Sequence, residues 1–328
     1  MKIVVDAMGG DFAPHNVIAG AVEAVKEYHV CVTLVGIKER IEEELKKYKF
    51  PKDLIEIVHA PEVVAMHDAA TVVIRQKKQS SITVGVGLLK KEGYDAFVSA
   101  GNTGACVAAG TFILGMIPGV DRPGIGCVFP SLKEFTFVID VGANTAAKPE
   151  HLLQYAKMAK VYAREILGRP EPSIGLLNIG EEECKGTGLE QEAHKILEEK
   201  EPLFIGNVEA NEVFNGKTDC IVCDGYAGNI TLKVAEGLME SVGKLLKREI
   251  KKNPIAIFGA LLLKSSLSKA KKSVDYSEYG GAPLLGVDGL VLISHGRSSP
   301  KAIKNAIRAA KKEVEHNVLK KIKEEMAK

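Results

Sequence analysis

Seven loops of this sequence are rich in glycine, asparagine and aspartate, the residues that turns and anion-binding loops use. They read DAMGGD (6–11), SAGNTGA (99–105), DVGANT (140–145), NIGEEECKGTG (178–188), DGYAGN (224–229), YGGAPLLG (279–286) and ISHG (293–296). An ordinary turn between a strand and a helix explains any one of them. Because ligands of α/β sheets bind beyond the carboxyl ends of the strands, the set predicts an anion site lined by backbone amides at one edge of a sheet.

Three side chains in these loops are candidates for chemistry. Lys185 lies in EECKGTG and is either a solvated lysine or a cation directed at an oxyanion or phosphate. Asn229 precedes ITLKVAEGLMESV and is either the N-cap of that helix or an amide that polarises a carbonyl, and both roles are compatible. His295 ends an apolar run and is either a structural hydrogen-bonding group or a proton-transfer group.

Short β-branched runs alternate with longer amphipathic segments along the chain. The predicted strands are 2–7, 31–36, 54–59, 95–100, 124–129, 135–141, 174–179, 203–208, 219–223 and 290–294. The predicted helices are 14–28, 37–48, 69–91, 103–116, 149–168, 188–200, 228–252 and 299–326. This rhythm predicts an α/β fold with three layers, in which helices cover both faces of a mostly parallel, doubly wound sheet. No linker or repeat divides the chain, so residues 1–328 are predicted to form a single large domain.

Composition excludes several classes of protein. The 328 residues carry 44 Lys and Arg against 42 Asp and Glu, which argues against a nucleic-acid binder. No apolar run approaches the roughly 20 residues of a membrane span, and the acid Asp6 interrupts any signal-like start. The six cysteines are irregularly spaced, which favours a reduced cytoplasmic protein. Cys220 and Cys223 are interpreted as core cysteines of one strand, and we expect neither a metal nor a nucleotide cofactor, since the P-loop and GxGxxG patterns are absent.

Positive charge is concentrated in residues 244–272, which contain nine Lys and Arg and one acid, Glu249. Between two lysine clusters lies the uncharged segment 255–263, which as a helix is about 14 Å long and cannot span a bilayer. Asn253 and Pro254 break the helix before it, so residues 240–275 are predicted to form a protruding helical hairpin. The hairpin is a core or dimer contact, a membrane-surface anchor, or a binding surface for an acidic protein.

The loops together resemble the bacterial phosphate acyltransferases of the PlsX family, nearly from end to end. Besides the loops above, the similarity covers RQKKQSS (75–81), DRPGIG (121–126), AKPEHLLQYA (147–156), FIGNVEAN (204–211), DGYAGNITLK (224–233) and SHGRS (294–298). The sequence departs from the family pattern in EVVAMHDA (62–69) and at Arg297. The resemblance implies a fold like that of isocitrate and isopropylmalate dehydrogenases, without nucleotide, and a homodimer with the active site near its interface.

The resemblance also implies a reaction, in which inorganic phosphate takes a long-chain acyl group from the thioester of acyl-carrier protein. Phosphate is then the nucleophile, and Lys185, Asn229 and His295 are the implied catalytic residues. The residues implied to bind substrate or phosphate are Asp6, Gly9, Gly10, Asn102, Thr103, Gly104, Asn144, Asp224, Gly225, Gly228 and Gly281. Separately from the resemblance, the apolar segment between the lysine clusters predicts that Ile257, Phe258, Leu261 and Leu262 contact a membrane or partner.

The same family resemblance implies a cytoplasmic protein that associates peripherally with anionic membrane and passes acyl-phosphate to a glycerol-phosphate acyltransferase. Three alternatives remain open at this point. The first is a short-chain phosphotransacetylase that uses coenzyme A. The second is a metal- and NAD-dependent decarboxylating dehydrogenase, on fold analogy alone. The third is a membrane-surface scaffold that acts through the hairpin.

Overall fold

The computed structural model describes residues 1–266 and 280–328 and contains one 11-stranded sheet. Its strands are β1 (Lys2–Asp6), β2 (Cys31–Gly36), β3 (Ile55–His59), β4 (Ala96–Ser99), β5 (Gly124–Ser131), β6 (Glu134–Ile139), β7 (Ile174–Asn178), β8 (Phe204–Glu209), β9 (Cys220–Val222), β10 (Ala282–Leu285) and β11 (Leu290–Ile293). They lie side by side in the order β3-β2-β1-β4-β11-β10-β5-β6-β9-β7-β8. The strand β10 falls in a segment that the sequence predicted as a loop, because Pro283 and the flanking glycines resemble a turn.

Two halves of the sheet run in opposite directions. Strand β10 is antiparallel to both β11 and β5, and β5 is antiparallel to β6, whereas the remaining pairs are parallel. Strands β1, β4 and β11 therefore point in the opposite direction to β6, β9 and β7. The expectation that all the glycine-rich loops follow strands ending at one edge of the sheet is wrong.

The described ranges contain eleven α-helices. They are α1 (His15–Tyr28), α2 (Lys38–Leu45), α3 (Val72–Arg75), α4 (Ser81–Leu88), α5 (Thr103–Ala109), α6 (Pro149–Leu167), α7 (Gly188–Lys200), α8 (Gly225–Lys251), α9 (Pro254–Leu262), α10 (Pro300–Glu315) and α11 (Val318–Met326). A turn of π-helix, Gly110–Leu114, follows α5, and short 3₁₀ turns cover Lys52–Leu54 and Ala210–Glu212. Two predicted helices are each divided: 69–91 into α3 and α4, and 299–326 into α10 and α11 at Asn317, whose φ is +55°.

Both faces of the sheet are covered, so the strands are buried on two sides. In β1, Ile3 and Val5 pack into the core beneath α1 and α10, while Val4 packs into the core on the opposite face. A third cluster lies beneath α6, α7 and α11. The same alternation places Cys220 and Cys223 on opposite faces, where burial raises the pKa of both thiols. The three-layer α/β prediction and the reading of these cysteines as core residues are confirmed.

The basic segment begins as predicted, with a long helix that stops before Pro254. Helix α8 ends at Lys251, and α9 begins at Pro254 with the side chain of Asn253 accepting the N–H of Ile255 at 2.9 Å. The returning part of the predicted hairpin, 267–275, lies outside the described residues. Within the described ranges, no helix is long and apolar enough to cross a membrane.

Candidate active site

The first group of loops follows β1, β4 and β11, and a buried carboxylate fixes its shape. Asp6 is 1% exposed and accepts the Ser99 hydroxyl at 2.7 Å and the N–H of Met8 at 3.1 Å. Burial raises the pKa of this carboxyl, and hydrogen bonds from Ser81 and Ser99 oppose the rise. A Cβ on Gly9 would lie 2.4 Å from the Asp6 carboxylate, so only glycine fits there. Asp6 therefore acts beneath the loop surface, as a group that positions the loops.

Asn102 joins this group to the segment 65–68. Its side-chain oxygen caps α5 by accepting the N–H of Ala105 at 2.9 Å. Its amide nitrogen donates to the carbonyls of Ala65, Met66 and Asp68 at 2.9–3.2 Å. All its hydrogen-bonding groups are thus engaged within the protein, which assigns Asn102 to loop positioning.

Backbone amides of the first group are available to an anion. Within the described ranges, no protein atom accepts the N–H of Gly10, Thr103 or Gly104. Gly10 has a φ of +103°, and a Cβ there would lie 3.0 Å from the carbonyl oxygen of Gly296. The loop containing Gly10 therefore lies directly against the SHG loop, beside His295. Gly281 also belongs to this first group and lies against β11. A Cβ on Gly281 would lie 3.2 Å from Ser294 Oγ.

His295 is exposed and its ring orientation is held by the backbone. Its Nδ1 accepts the N–H of Arg297 at 3.1 Å. A ring nitrogen that accepts a hydrogen bond carries no proton, so Nε2 bears the proton of the neutral ring. This tautomer can donate a hydrogen bond from Nε2 to a group at the loop surface.

The second group of loops follows β6, β9 and β7, which lie side by side in the sheet. Asp140 is completely buried and accepts five hydrogen bonds from the N–H groups of Ile125 and of residues 142–144, at 2.7–3.1 Å. Burial raises the pKa of Asp140, and these backbone bonds oppose the rise. Asp140 thus folds the loop DVGANT around its carboxylate.

The start of α8 differs from the prediction for Asn229. The N-cap is Asp224, whose carboxylate accepts the N–H groups of Tyr226 and Ala227 at 2.6 and 2.8 Å. Asn229 is the fifth residue of the helix, so the interpretation as an N-cap is wrong. Asp224, four residues before Gly228, is the cap, and an aspartate is a common N-cap residue that the sequence already contained.

Gly225 and Gly228 serve close packing at the start of α8. A Cβ on Gly225 would lie 2.6 Å from the Asp140 carboxylate, and one on Gly228 would lie 1.9 Å from its carbonyl oxygen. The N–H of Gly225 already donates to the carbonyl of Asn144 at 2.9 Å, and that of Gly228 donates to Asp224 at 3.0 Å. The first amides of α8 are therefore engaged within the protein, and the predicted anion cradle at this helix start is absent.

Two polar side chains of the second group remain available. The half-buried carboxamide of Asn229 lies against Gly142 and makes no hydrogen bond to any residue that the structure describes. Lys185 is 45% exposed, and its ammonium lies 3.9 Å from Glu182, too far for a hydrogen bond. Buried Asn178 holds this loop by donating to the Lys185 carbonyl at 3.2 Å. Asn144 instead bonds Tyr155 and His151 at 3.3 Å.

Helix α8 connects the two groups. It begins among the second group at Gly225 and passes the first group near Glu240. The hydrogen bond from Lys244 lowers the pKa of Glu240, and the positive charge of Arg297 contributes to the same lowering.

Sequence reasoning did not select several residues that shape the site. Ser99, Asp140 and Asn178 each end or follow a strand and bond a neighbouring loop. Their signal was a polar residue at the end of a continuously apolar strand. Their partners are distant in sequence, so the sequence alone did not separate them from ordinary turn residues.

Solved structures define the class of fold. A phosphotransacetylase from Streptococcus pyogenes superimposes with a TM-score of 0.64 at 18% identity, covering 95% of this chain and 94% of that chain. A 4-hydroxythreonine-4-phosphate dehydrogenase from Klebsiella pneumoniae superimposes with a TM-score of 0.51 at 15% identity, covering 95% and 98%. The fold is that of the phosphotransacylases and of dehydrogenases related to them, as predicted.

Sequence comparison defines the family. The family described as "Fatty acid synthesis protein" matches residues 1–321. A relative in Halothermothrix orenii, named phosphate acyltransferase, is 46% identical over 331 residues, covering 100% of this chain and 99% of its own length. The chain belongs to this family, in which the curated relatives are phosphate acyltransferases, and it is an enzyme of the transferase class. The predicted family is confirmed.

Proposed function

We propose that this enzyme transfers a long-chain acyl group from the thioester of acyl-carrier protein to inorganic phosphate. The observation that carries the proposal is a pair of polar side chains without hydrogen bonds to the described residues, Lys185 and Asn229, in loops of a phosphate acyltransferase family member. A cation and an amide donor suit the two species of this reaction, a phosphate dianion and a tetrahedral oxyanion.

The reaction needs no nucleophile from the protein. A phosphate oxygen attacks the thioester carbon and forms the new C–O bond, and the C–S bond breaks with its electron pair leaving on sulfur. The Nε2–H of His295 is proposed to donate a hydrogen bond to the departing sulfur, and the thiolate then takes its proton from solvent. The amides of Gly10, Thr103 and Gly104 are proposed to hold phosphate, and Lys185 and Asn229 to stabilise the oxyanion and the phosphate charge.

Exposed apolar side chains in the site loops favour a long acyl chain over acetate. Phe12 and Met66 are 53% and 48% exposed beside the first group of loops. Ile179 and Tyr226 are 80% and 64% exposed in the second group. Exposed apolar area at a site marks a surface that a hydrophobic ligand covers.

The donor preference separates this proposal from the short-chain alternative. Purified enzyme is supplied with phosphate and either palmitoyl acyl-carrier protein or acetyl-coenzyme A, and the released thiol is followed. We expect phosphate-dependent release from the carrier protein and turnover of acetyl-coenzyme A at least 100-fold lower in kcat/KM. A preference for acetyl-coenzyme A would select the phosphotransacetylase, and NAD-dependent oxidation would select the dehydrogenase.

Helix α9 supports a peripheral, cytoplasmic enzyme on an anionic membrane surface. Its apolar side chains Ile257, Phe258, Leu261 and Leu262 are 49–70% exposed, and α8 ends in the basic residues Arg248 and Lys251. An apolar tip beside positive charge suits the boundary of an anionic bilayer. There the product, a reactive mixed anhydride, would be passed to a glycerol-phosphate acyltransferase.

Vesicle co-sedimentation tests this location. We expect binding to vesicles containing anionic phosphatidylglycerol, weakening as salt increases, and little binding to neutral phosphatidylcholine vesicles. Replacing Ile257, Phe258 and Leu261 by serine should abolish it. Equal binding by the triple variant would contradict the assignment of α9 as the anchor.

The proposed homodimer has a candidate contact surface along α8. Ile230, Val234, Leu238, Val242 and Leu245 are 45–63% exposed and repeat every three or four residues, so they form one apolar stripe along the helix. A second copy of the chain is the proposed partner of this stripe. Light scattering should report a dimer for the native chain and a monomer for Leu238→Glu, and a dimer in both would contradict the assignment.

A further inference from the structure

A cluster of metal-ligating side chains lies behind the Lys185 loop and takes no part in the proposed transfer. Glu183 in that loop, and His194 and Glu198 on α7, each place one ligand atom within 4.8 Å of the others. His194 and Glu198 are four residues apart, on one face of the helix. The cluster therefore joins the loop to the helix that follows it.

The hydrogen bonds around His194 determine which ring nitrogen can bind a ligand. Asn207 donates its amide nitrogen to the carbonyl of Glu182 at 2.9 Å, which turns its side-chain oxygen toward the histidine. That oxygen lies 3.0 Å from His194 Nδ1, so Nδ1 must carry a proton and donate it. The lone pair of the neutral ring is then on Nε2. Histidines that bind metals commonly donate their other N–H to a carbonyl oxygen in this way.

The histidine is buried and held by its neighbours, whereas the two carboxylates are exposed. His194 is 5% exposed and packs edge-on against Phe204 with ring centroids 5.1 Å apart. Glu183 and Glu198 are exposed, and neither forms an ion pair with a lysine or arginine of residues 1–266 and 280–328. Two adjacent carboxylates without a neutralising cation repel each other, and a bound cation removes that repulsion.

We propose that Glu183, His194 and Glu198 form a site for one divalent transition-metal ion, with Zn²⁺ as the best fit. One imidazole and two carboxylates are zinc ligands, and water completes a four-coordinate shell. In such a shell the ligand atoms lie about 3.3 Å apart, so the carboxylates need to approach by no more than about 1.5 Å. This site departs from the expectation of no metal that the sequence suggested, because Glu183 is remote from the helix pair in sequence.

The bound ion would tie residue 183, two positions before Lys185, to α7. Asn207 would complete the site as a positioning residue, since it orients His194 and also holds the Glu182 carbonyl. The site is independent of the acyl-transfer proposal, because it is read out by metal binding alone.

Equilibrium dialysis against Zn²⁺, with metal content measured by mass spectrometry, tests the site in tag-free protein. Cys184 is exposed in the same loop, so the experiment uses Cys184→Ser as the background for all variants. We expect one Zn²⁺ per chain, and at least a tenfold loss of affinity in Glu198→Gln. The matched control is Glu199→Gln, the same change at the adjacent exposed position, which should bind as the background does.

A second variant tests whether zinc binding depends on the orientation of His194. Asn207→Ala should lower zinc affinity by about 10- to 100-fold in protein that circular dichroism shows to be folded. Its thermal midpoint without metal should also fall, because His194 and the Glu182 carbonyl lose their hydrogen-bond partner. Less than half a zinc per chain at saturation, or equal affinity in Glu198→Gln and Glu199→Gln, would overturn the proposal.

Discussion

Replacing Asn229 by alanine separates a catalytic role from a structural one more cleanly than any other change in the site. Asn229 is an interior residue of α8, and its carboxamide bonds no residue within the described ranges. Alanine therefore removes no hydrogen bond and improves helix propensity by about 0.5–0.7 kcal/mol. We expect the unfolding midpoint of Asn229→Ala to lie within about 2 °C of the native value, or slightly above it.

The catalytic effect should be large by contrast. An amide that donates to a developing oxyanion contributes about 2.7–4 kcal/mol to the transition state, so kcat should fall by about 10²- to 10³-fold. The assay is the phosphate-dependent release of carrier-protein thiol from palmitoyl acyl-carrier protein, with the phosphate KM measured in parallel. A fall in kcat with a small change in KM would assign Asn229 to the oxyanion.

Two further asparagine variants serve as controls for Asn229→Ala. Asn211→Ala makes the same chemical change at an exposed position after β8, outside the two groups of loops as defined above, and should leave rate and midpoint unchanged. Asn102→Ala removes a cap that contributes about 1 kcal/mol and leaves three carbonyls unpaired, so activity and midpoint should fall together. Native turnover in Asn229→Ala, or a midpoint loss like that of Asn102→Ala, would refute the reasoning.

Three other predictions concern charge. Lys185→Ala should lower kcat at least tenfold without unfolding the chain, because its ammonium makes no hydrogen bond; native turnover would exclude the role. Lys160 bonds buried Glu201 at 2.6 Å, so Lys160→Met should cost about 3–5 kcal/mol of unfolding free energy in urea titrations, and a loss below about 1 kcal/mol would contradict this. Burial raises the pKa of Glu313 to about 8, so its contribution to stability is present below its unfolded pKa near 4.5 and is lost as the pH rises through about 8. Relative to the native chain, Glu313→Gln should gain in thermal midpoint between pH 5 and pH 9, and a pH-independent difference would contradict the assignment.

Much of the fold was predictable because strand burial leaves a strong pattern. Runs such as CIVC and IGLLN are apolar throughout, as strands covered on both faces require. The reversal of the sheet was not predicted: it arises at the β5–β6 hairpin, because β10 is antiparallel to both of its neighbours and leaves β11 and β5 parallel to each other. The strand order also depends on pairing between segments that are distant in sequence, here 282–285 with 124–131.

The sequence was sufficient to predict which loops form the site, but not what each residue in those loops does. Asp6, Asn102 and Gly228 were expected to touch substrate, whereas their contacts are internal to the protein. A glycine that admits a ligand and a glycine that admits a neighbouring backbone read alike in sequence. The three-dimensional structure is needed to see that the first N–H groups of α8 donate to protein oxygen atoms. Within the described residues, the N–H groups of Gly10 and Thr103 have no such acceptor.

Isotope transfer from phosphate tests the central claim most directly. The enzyme is supplied with palmitoyl acyl-carrier protein and phosphate labelled with ¹⁸O at all four oxygens, and the products are analysed by mass spectrometry. Direct attack by phosphate predicts palmitoyl-phosphate that retains all four labelled oxygens, with an unlabelled carbonyl. Free palmitate as the only acyl product, or acyl-phosphate that has lost a label, would contradict the account.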